Sequence, residues 1–255
     1  MNLFQLTGKT AIIIGGSSTL GGAMAMALAA HGASVALVGR NAEKLQEAQQ
    51  RIEEACGNAH CFLADATSKE DLQRVLTDVI IWSGRVDILL NCPGKNSATP
   101  FFDISTEEWD SIMDVNLKGV MLACQVFGKH MVDQGEGGSI INISSVSSTT
   151  PLSRVFTYSA SKAAVNNVTE FLAREFAPSR VRVNAIIPGF FPAEQNRKIL
   201  SPERVESIIR HTPMGRFGQA DELQGAVVFL ASEKASSFVT GTLLRVDGGF
   251  GAMTI

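Results

Sequence analysis

Tyrosine is almost absent from this 255-residue chain, which contains only Tyr158. Cysteine is also scarce: Cys56, Cys61, Cys92 and Cys124 form no Cys-x-x-Cys pair and have no histidine at metal-ligand spacing. This pattern argues against a zinc site or a disulfide framework. It predicts that Cys56, Cys61 and Cys124 are buried free thiols in a reducing compartment, sets Cys92 apart because it lies inside a motif, and predicts no bound metal.

An excess of charge of one sign is lacking as well. The chain has 22 Lys plus Arg and 25 Asp plus Glu, and the net charge of −3 argues against nucleic-acid binding. No apolar run approaches the roughly 18 residues of a membrane-spanning helix, and residues 1–9 lack the layout of a signal peptide. We therefore expect a soluble, cytoplasmic protein with a small-molecule substrate and no membrane partner.

Proline is missing from the first 92 residues, where strand-like apolar runs alternate with helix-like stretches. Alternation of this kind predicts a parallel sheet covered by helices. The strands read as nearly unbroken Ile, Val, Leu and Ala, which is typical of a sheet buried on both faces. The seven candidate strands are residues 10–14, 34–38, 60–64, 86–90, 139–143, 181–187 and 243–246. The sequence therefore predicts one α/β domain over residues 1–255, a doubly wound Rossmann-type sheet.

A glycine cluster follows the first candidate strand and leads directly into a helix-like stretch. Glycines let the backbone turn tightly beside a diphosphate, and the start of the helix offers free N–H groups. In this position the cluster predicts the phosphate loop of a dinucleotide site, although tight turns also need glycine for structural reasons. The candidate cofactor residues of this loop are Gly15, Ser17, Ser18, Thr19, Leu20 and Gly21.

The second candidate strand is followed by Gly39, Arg40 and Asn41. Folds that use NAD usually place an acid here for the ribose 2′-hydroxyl, whereas an arginine accommodates a 2′-phosphate. The pattern favours NADP(H), leaves NAD(H) possible, and makes Arg40 and Asn41 candidate cofactor residues. A solvated arginine that caps the turn is the alternative.

The single tyrosine lies four residues before Lys162. Positions i and i+4 of a helix share a face, so both side chains can point into one cleft. A free tyrosine has a pKa near 10, and a neighbouring ammonium favours the phenolate. We therefore expect the pKa of Tyr158 to lie well below that of a free tyrosine. Surface decoration of a helix is the other interpretation of such a pair.

Taken in order, these motifs resemble the short-chain dehydrogenase/reductase family over essentially the whole chain. The glycine turn is similar to the family's T-G-x-x-x-G-x-G turn, from which Ile14 and Thr19 depart. Residues 91–94 are similar to its N-N-A-G element with the middle pair changed, and residues 247–249 to its closing D-G-G. The resemblance implies further cofactor contacts from Asp65, Ala66, Asn91, Cys92, Gly94, Tyr158, Lys162, Pro188 and Gly189.

The same resemblance implies a catalytic set of Asn116, Ser145, Tyr158 and Lys162. Hydride transfer to a ketone leaves negative charge on its oxygen, which requires a proton donor and a hydrogen-bond donor. Tyr158 would be the acid in reduction and the base in oxidation, and Ser145 would orient the carbonyl. Lys162 would hold the nicotinamide ribose, and Asn116 would support a water that links Lys162 to solvent.

A polar segment between the last two candidate strands predicts a substrate lid at about residues 190–216. With residues 151–154 and 235–241 it resembles the sugar-acid branch of the family, especially fructuronate reductase (mannonate oxidoreductase) and, less closely, gluconate 5-dehydrogenase. Arg154 and Arg197 would hold a carboxylate. Lys95 and Asn96 would contact hydroxyls, and Phe191 completes the predicted substrate residues.

Two other functions stay open at the level of the sequence. A 3-oxoacyl carrier-protein reductase would need a basic surface near the cleft, and the polar lid argues against it. A catalytically inactive, cofactor-sensing oligomer would use the same fold, and the intact Ser145, Tyr158 and Lys162 argue against it. Relatives are commonly homotetramers, and the apolar helix at residues 120–131 is a candidate interface or core helix.

Overall fold

The fold is built on a single parallel sheet of seven strands. The computed structural model describes residues 2–150, 152–191 and 201–253. The strand order is β3-β2-β1-β4-β5-β6-β7, which confirms the predicted doubly wound class. The strands are β1 (Thr10–Ile14), β2 (Ser34–Gly39), β3 (Asn58–Leu63), β4 (Ile88–Asn91), β5 (Gly138–Ile143), β6 (Val181–Pro188) and β7 (Leu243–Val246).

Strand pairing moves two of the predicted strand starts by two residues, and the other predicted ends by one residue at most. β3 starts at Asn58, earlier than predicted, because Asn58 pairs with Ser34 at the start of β2. β4 starts at Ile88, later than predicted, because Ile88 is the first of its residues in register with β1, opposite Ala11. Apolar composition marks where a strand is buried, whereas the neighbouring strand decides where its ladder begins.

The first three helices each follow a strand and begin with a side-chain cap. They are α1 (Thr19–Ala30), α2 (Ala42–Glu54) and α3 (Lys69–Ser83). Ser18, Asn41 and Ser68 each accept a hydrogen bond from a backbone N–H in the first turn. Such caps satisfy helix N–H groups that have no partner within the helix, so the helix starts are encoded locally.

A long helical stretch between β4 and β5 contains two π-helical turns. It consists of α4 (Thr106–Met113), the turn Asp114–Lys118, α5 (Gly119–Ala123), the turn Cys124–Gly128 and α6 (Lys129–Gln134). The apolar helix predicted at residues 120–131 falls here, and Val120, Phe127 and Met131 are buried. This stretch is therefore a core element, and only Met121 is an exposed large apolar side chain on it.

The second half adds α7 (Phe156–Phe176), α8 (Pro202–His211), α9 (Gln224–Ala231) and α10 (Glu233–Ser236). One face of the sheet packs against α1, α2 and α9, and the other against α3, α5, α6 and α7. Consecutive residues of β1 enter opposite cores, Ile13 one and Ile12 the other. Both faces are covered, which explains the unbroken apolar strands. Among the described residues, no helix has the length and apolarity that a membrane span requires.

Candidate active site

A cleft with a volume of about 420 Å³ lies at the carboxyl ends of the strands. All strands of a parallel sheet end at one edge, and ligands bind there in open α/β folds. Most of the predicted site residues line this cleft. They are Gly15, Ser17, Ser18, Thr19, Leu20, Arg40, Asp65, Ala66, Cys92, Gly94, Lys95, Asn96, Ser145, Tyr158, Lys162, Pro188, Gly189 and Phe191.

Four predicted residues lie behind the lining and hold it in place. A Cβ atom at Gly21 would lie 2.4 Å from the Gly15 carbonyl oxygen, so α1 packs directly against the loop. Asn41 caps α2 through the Lys44 amide at 2.9 Å. Asn91 is buried and donates to the Asn142 side chain at 2.9 Å. Asn116, the fourth, is described below, after Tyr158 and Lys162.

The phosphate loop reverses direction at Gly15, whose φ is +80°. A Cβ atom there would lie 2.6 Å from the Cys92 carbonyl oxygen, so only glycine fits between the two loops. Thr19 is the first residue of α1 and has no positive φ. The departure at Thr19 from the family pattern is therefore compatible with the turn, and the cradle fits a dinucleotide diphosphate.

One end of the cleft carries two cations and one carboxylate. Arg40 Nη1 lies 3.6 Å from Asp65 Oδ2, and both side chains are substantially exposed. Asp65 also accepts hydrogen bonds from the amide and the hydroxyl of Thr67, each at 2.8 Å. Those bonds, chiefly the one from the amide, hold the pKa of Asp65 below its usual range despite partial burial. Asp65 is therefore ionised at neutral pH, and it would compete with a bound anion for the guanidinium of Arg40.

Lys44 lines this end of the cleft and was missed at the level of the sequence. It stands in the first turn of α2, three residues after the cap Asn41. The spacing Arg40-Asn41-x-x-Lys44 was the available signal, because the first turn of that helix lies beside the end of β2. Two basic side chains, rather than Arg40 alone, therefore face the cleft here.

The other end contains Tyr158 and Lys162, one helical turn apart on α7. Lys162 Nζ donates to the Ile143 carbonyl at 2.8 Å and to the Pro93 carbonyl at 3.4 Å. It lies 5.8 Å from the centre of the Tyr158 ring. Ser145 lies two residues beyond the end of β5, and its side chain forms a hydrogen bond with Tyr158. The structure thus brings together the tyrosine, lysine and serine that the sequence grouped.

Burial changes the proton affinity of both side chains on α7. Desolvation raises the pKa of Tyr158 above its ordinary value, and the hydrogen bond from Ser145 opposes this only in part. Desolvation also lowers the pKa of Lys162 to about 8, so its ammonium is a weaker stabiliser of the phenolate. The predicted lowering of the Tyr158 pKa is therefore wrong for the protein without a bound ligand, because burial outweighs the hydrogen bond from Ser145.

Asn116 lies in the π-helical turn Asp114–Lys118 and is fully buried. Its Oδ1 accepts from the Lys95 amide at 2.8 Å, and its Nδ2 donates to the Lys95 carbonyl at 2.9 Å. Nδ2 also donates to Ser161 Oγ on α7 at 3.0 Å. In the contacts that the structure describes, Asn116 therefore connects the loop after β4 to α7. The sequence did not reveal this role.

Cys92 and Pro93 replace the middle pair of the family's N-N-A-G element, and both residues line the cleft. Cys92 Sγ lies 3.9 Å from Ser18 Oγ, and burial raises the pKa of its thiol. Pro93 has no N–H group, but its carbonyl accepts from Lys162. The changed pair thus joins the phosphate loop to Lys162.

The predicted substrate residues fall into three groups. Lys95, Asn96 and Phe191 line the cleft, and Lys95 Nζ donates to Ser111 Oγ. Arg154 is exposed, has a φ of +66° and is not among the lining residues. Arg197 lies outside the described residues. The positive φ of Arg154 places its backbone in the left-handed region, which a sequence pattern does not reveal.

The second part of the predicted lid is the helix α8. Arg204 on α8 donates to the hydroxyl and the carbonyl of Ser153, at 2.9 and 3.0 Å. His211 at the other end of α8 contacts the ring of Phe250, with 4.5 Å between ring centres. α8 is therefore attached both to the loop before α7 and to the C-terminal segment.

The chain is similar over almost its full length to known oxidoreductases. Residues 15–251 match the family profile described as Enoyl-(Acyl carrier protein) reductase. The chain is 40% identical over 267 residues to an uncharacterized oxidoreductase of Bacillus subtilis, with 96% of each protein covered. It is 36% identical over 249 residues to gluconate 5-dehydrogenase of Gluconobacter oxydans, covering 97% of this chain and 96% of that enzyme.

A solved structure gives the same picture of the fold. The gluconate 5-dehydrogenase of Burkholderia cenocepacia, in complex with NADP and tartrate, superimposes with a TM-score of 0.94. It is 33% identical, and the match covers 99% of this chain and 98% of that one. The similarity therefore covers nearly the whole length of both chains.

Proposed function

The chain belongs to the short-chain dehydrogenase/reductase family, and from that premise we propose that it is an oxidoreductase acting on a sugar acid. The reaction moves a hydride between a nicotinamide dinucleotide and a ketone or secondary alcohol. One observation carries this proposal: Ser145, Tyr158 and Lys162 meet in a cleft that also contains a glycine phosphate loop. An inactive cofactor sensor would not need a proton donor there.

The chain's own residues handle the proton and the substrate oxygen. A bound nicotinamide supplies or accepts the hydride. Tyr158 donates its proton to the ketone oxygen in reduction and accepts it in oxidation, and Ser145 donates a hydrogen bond to the same oxygen. Lys162 supports the phenolate and, in this proposal, holds the nicotinamide ribose. Asn116 keeps the loop at Lys95 in place against α7.

NADP(H) is the preferred cofactor in this proposal, and NAD(H) remains usable. Arg40 and Lys44 are the two cations at the end of the cleft that follows β2. A 2′-phosphate gains from both charges, whereas a 2′-hydroxyl does not. The NADP bound by the similar Burkholderia cenocepacia enzyme supports this choice.

The substrate class follows from the polar lining and from the relatives. Apart from Lys162, Lys95 is the cation at the catalytic end of the cleft among the described residues. We assign it the substrate carboxylate, with Asn96 on a hydroxyl and Phe191 against the carbon chain. Gluconate is the first acid to test, because two of the similar proteins are gluconate 5-dehydrogenases. Fructuronate/mannonate is the second pair to test.

A substrate panel tests the proposal. Sugar acids, neutral polyols and a 3-oxoacyl thioester are each assayed with NAD(H) and NADP(H). A hydroxyl-recognising site rejects analogues that lack the hydroxyls by up to about 10⁴-fold. Tyr158→Phe should abolish turnover and leave cofactor binding intact. Preference for the thioester would favour a 3-oxoacyl carrier-protein reductase, and equal turnover of a simple cyclic ketone would contradict the sugar-acid assignment.

The carboxylate assignment has its own experiment. Lys95→Ala should raise KM for a sugar acid about tenfold and leave KM for a neutral polyol within about twofold, because only the acid uses the charge. Arg154→Ala is the matched control, since Arg154 is an exposed cation outside the lining. If Arg154→Ala gives the selective effect and Lys95→Ala does not, the assignment fails.

The proposed assembly is a homotetramer. Phe101, Phe102 and Phe156 form an exposed aromatic cluster, with 5.6 Å and 5.0 Å between neighbouring ring centres. Phe102 is 97% exposed in the single chain, an unfavourable position for a large apolar ring unless another surface covers it. Sedimentation equilibrium should give the mass of four chains. A monomer at micromolar concentration would contradict the proposal.

A further inference from the structure

Ser147 lies two residues beyond Ser145, in the short 3₁₀ turn Val146–Ser148 that follows β5. It is 4% exposed. Both of its donor groups contact the same atom: the amide nitrogen lies 3.2 Å and the hydroxyl oxygen 3.1 Å from Ser145 Oγ. No other described group accepts a hydrogen bond from the Ser147 hydroxyl.

These contacts determine which way the protons point. A serine hydroxyl has one proton to donate and two lone pairs to accept with. If Ser145 donated to Ser147, the buried proton of Ser147 would have no described acceptor, which is unfavourable for a buried donor. The favoured arrangement therefore has Ser147 donating to Ser145 from both its amide and its hydroxyl. Both lone pairs of Ser145 are then occupied, and its proton is free for the cleft.

We propose that Ser147 is a positioning residue, which orients the Ser145 hydroxyl so that its proton points at Tyr158 and at the substrate oxygen. This inference rests on the proposed hydride-transfer function. The hydrogen bonds run in one direction, from Ser147 to Ser145 and from Ser145 to the phenolic oxygen. A donor that arrives at Tyr158 favours the phenolate, which is the form that accepts a proton during alcohol oxidation.

The turn that carries Ser147 is held rigidly. The Ser148 hydroxyl donates to the Ser145 carbonyl at 2.6 Å, and Asn166 on α7 donates to Ser148 Oγ at 2.9 Å. The turn is therefore tied to the helix that bears Tyr158. Loss of the Ser147 hydroxyl alone would leave these bonds in place.

The charged and titratable groups around Tyr158 allow a pH test. Lys162 faces it from α7 and Cys92 from the loop after β4, while the turn after β5 contributes only serine hydroxyls. Within the part of the chain that the structure describes, Lys95 is the other ionisable group that lines this end of the cleft. None of these groups is changed by a substitution at Ser147, so a shifted pH profile reports on the hydroxyl relay.

Ser147→Ala tests the relay in the full-length enzyme. We expect kcat for alcohol oxidation to fall about tenfold, the value of one hydrogen bond, with KM within about twofold. The pH midpoint of kcat/KM should rise by about half a unit to one unit, because the phenolate loses support. Ser147→Cys keeps a weak donor in place, and its midpoint should lie between those of Ser147→Ala and the parent.

Thr149→Ala is the matched control, because Thr149 lies just after the same turn, is exposed and makes no bond to Ser145. Its pH midpoint should equal that of the parent enzyme. A Ser147→Ala midpoint within 0.2 units of the parent, roughly the error of the measurement, would overturn the relay even if activity fell. No turnover of any alcohol or ketone by the parent enzyme would instead overturn the proposed function.

Discussion

Tyr158 and Lys162 have opposite charges when ionised, yet in the protein without ligand burial keeps both closer to neutral than in water. The pKa of Tyr158 is raised and that of Lys162 is lowered to about 8, in both cases chiefly by desolvation. Each shift disfavours a charge in a medium that solvates it poorly. The proton affinities of both side chains are therefore set chiefly by burial in the protein without a ligand.

The only tyrosine of the chain makes this state directly measurable. We expect the ultraviolet absorbance of tyrosinate in the ligand-free protein to rise with a midpoint above the ordinary value near 10, because the buried phenolate is poorly solvated. The folded state binds this proton more tightly than the unfolded state, so stability is lost as pH rises through the midpoint. Circular dichroism at each pH verifies folding. A midpoint well below 10 in the folded, ligand-free protein would contradict the burial argument.

Asp65 is a second residue whose charge matters, because it lies beside Arg40 at the end of the cleft that follows β2. Its carboxylate lies 3.6 Å from Arg40 Nη1 and repels a 2′-phosphate that seeks the same cation. Asp65→Asn should raise the ratio of kcat/KM with NADP to that with NAD about three- to tenfold, since both groups are exposed and screened. Adenine contacts cancel in this ratio because both cofactors carry adenine.

Arg40→Ala provides the opposite change for the same measurement. It should lower the NADP to NAD ratio, because only the 2′-phosphate gains from the guanidinium. If the parent enzyme binds NAD at least as tightly as NADP, Arg40 is a solvated turn residue and the cofactor proposal fails. An Asp65→Asn enzyme with a lowered ratio would contradict the competition for Arg40.

At the scale of elements, helix α1 and the loop before it act as one unit. Ser18 caps α1 and also donates to the Gly15 carbonyl at 2.8 Å. Gly21 lets the first turn of α1 approach that same carbonyl. The free N–H groups of a helix start bind phosphate only if the backbone can come close, and this contact keeps the path open.

Alanine substitutions at two neighbouring glycines of α1 distinguish the effect of close packing from the effect of helix propensity. Gly21→Ala should weaken NADP binding at least about tenfold and lower stability, because its Cβ would lie 2.4 Å from the Gly15 carbonyl oxygen. Gly22→Ala is the control: its Cβ would lie 3.5 Å from the Gly16 carbonyl oxygen, an ordinary contact. It should add about 0.5–1 kcal/mol of helix stability. Cofactor fluorescence titration and urea unfolding measure both, and equal effects at the two sites would refute the packing explanation.

At the scale of the whole molecule, a buried carboxylate stabilises the end of the sheet opposite the cleft, where β1 and β4 begin. Asp87 accepts from the Thr10 amide at 3.0 Å, from Lys9 at 3.0 Å and from Arg85 at 2.7 and 2.6 Å. Burial alone would raise the pKa of Asp87, but these hydrogen bonds outweigh it and hold the pKa below its usual range. This residue therefore joins the starts of β1 and β4.

Acid should remove this contribution to folding. Because the folded-state pKa of Asp87 is lowered, its stabilisation is present above the unfolded value near 3.9 and is lost as pH falls through the folded value. Asp87→Asn should cost about 2 kcal/mol at pH 7, because Arg85 and Lys9 keep about a third of their exposure and some hydration. The variant should lose less stability than the parent between pH 7 and pH 3, as urea unfolding will show.

Asp133→Asn is the surface control for that experiment. Asp133 pairs with Lys129 at 2.7 Å on α6, with both side chains mostly exposed. Such a pair contributes at most about 1 kcal/mol, so this variant should unfold almost like the parent. If Asp133→Asn is as damaging as Asp87→Asn, burial is not what makes Asp87 important.

Local patterns in the sequence were sufficient for the sheet, the phosphate loop and the helical tyrosine–lysine pair. Each depends on neighbours in the chain: apolar runs mark buried strands, glycine permits the turn at Gly15, and a four-residue spacing places Tyr158 and Lys162 on one face. Helix starts belong to this group too, since Ser18, Asn41 and Ser68 cap helices that follow them directly.

Tertiary structure alone decided which charges and hydroxyls meet. Asp65 pairs with Arg40 across 25 residues of sequence, and Asn116 reaches Lys95 from a π-helical turn. The proton affinity of Tyr158 depends on how much water the surrounding loops remove, which no spacing encodes. Its pKa shift was therefore predicted with the wrong sign, because packing sets that property. Its place one helical turn before Lys162 was predicted correctly, because that property is local.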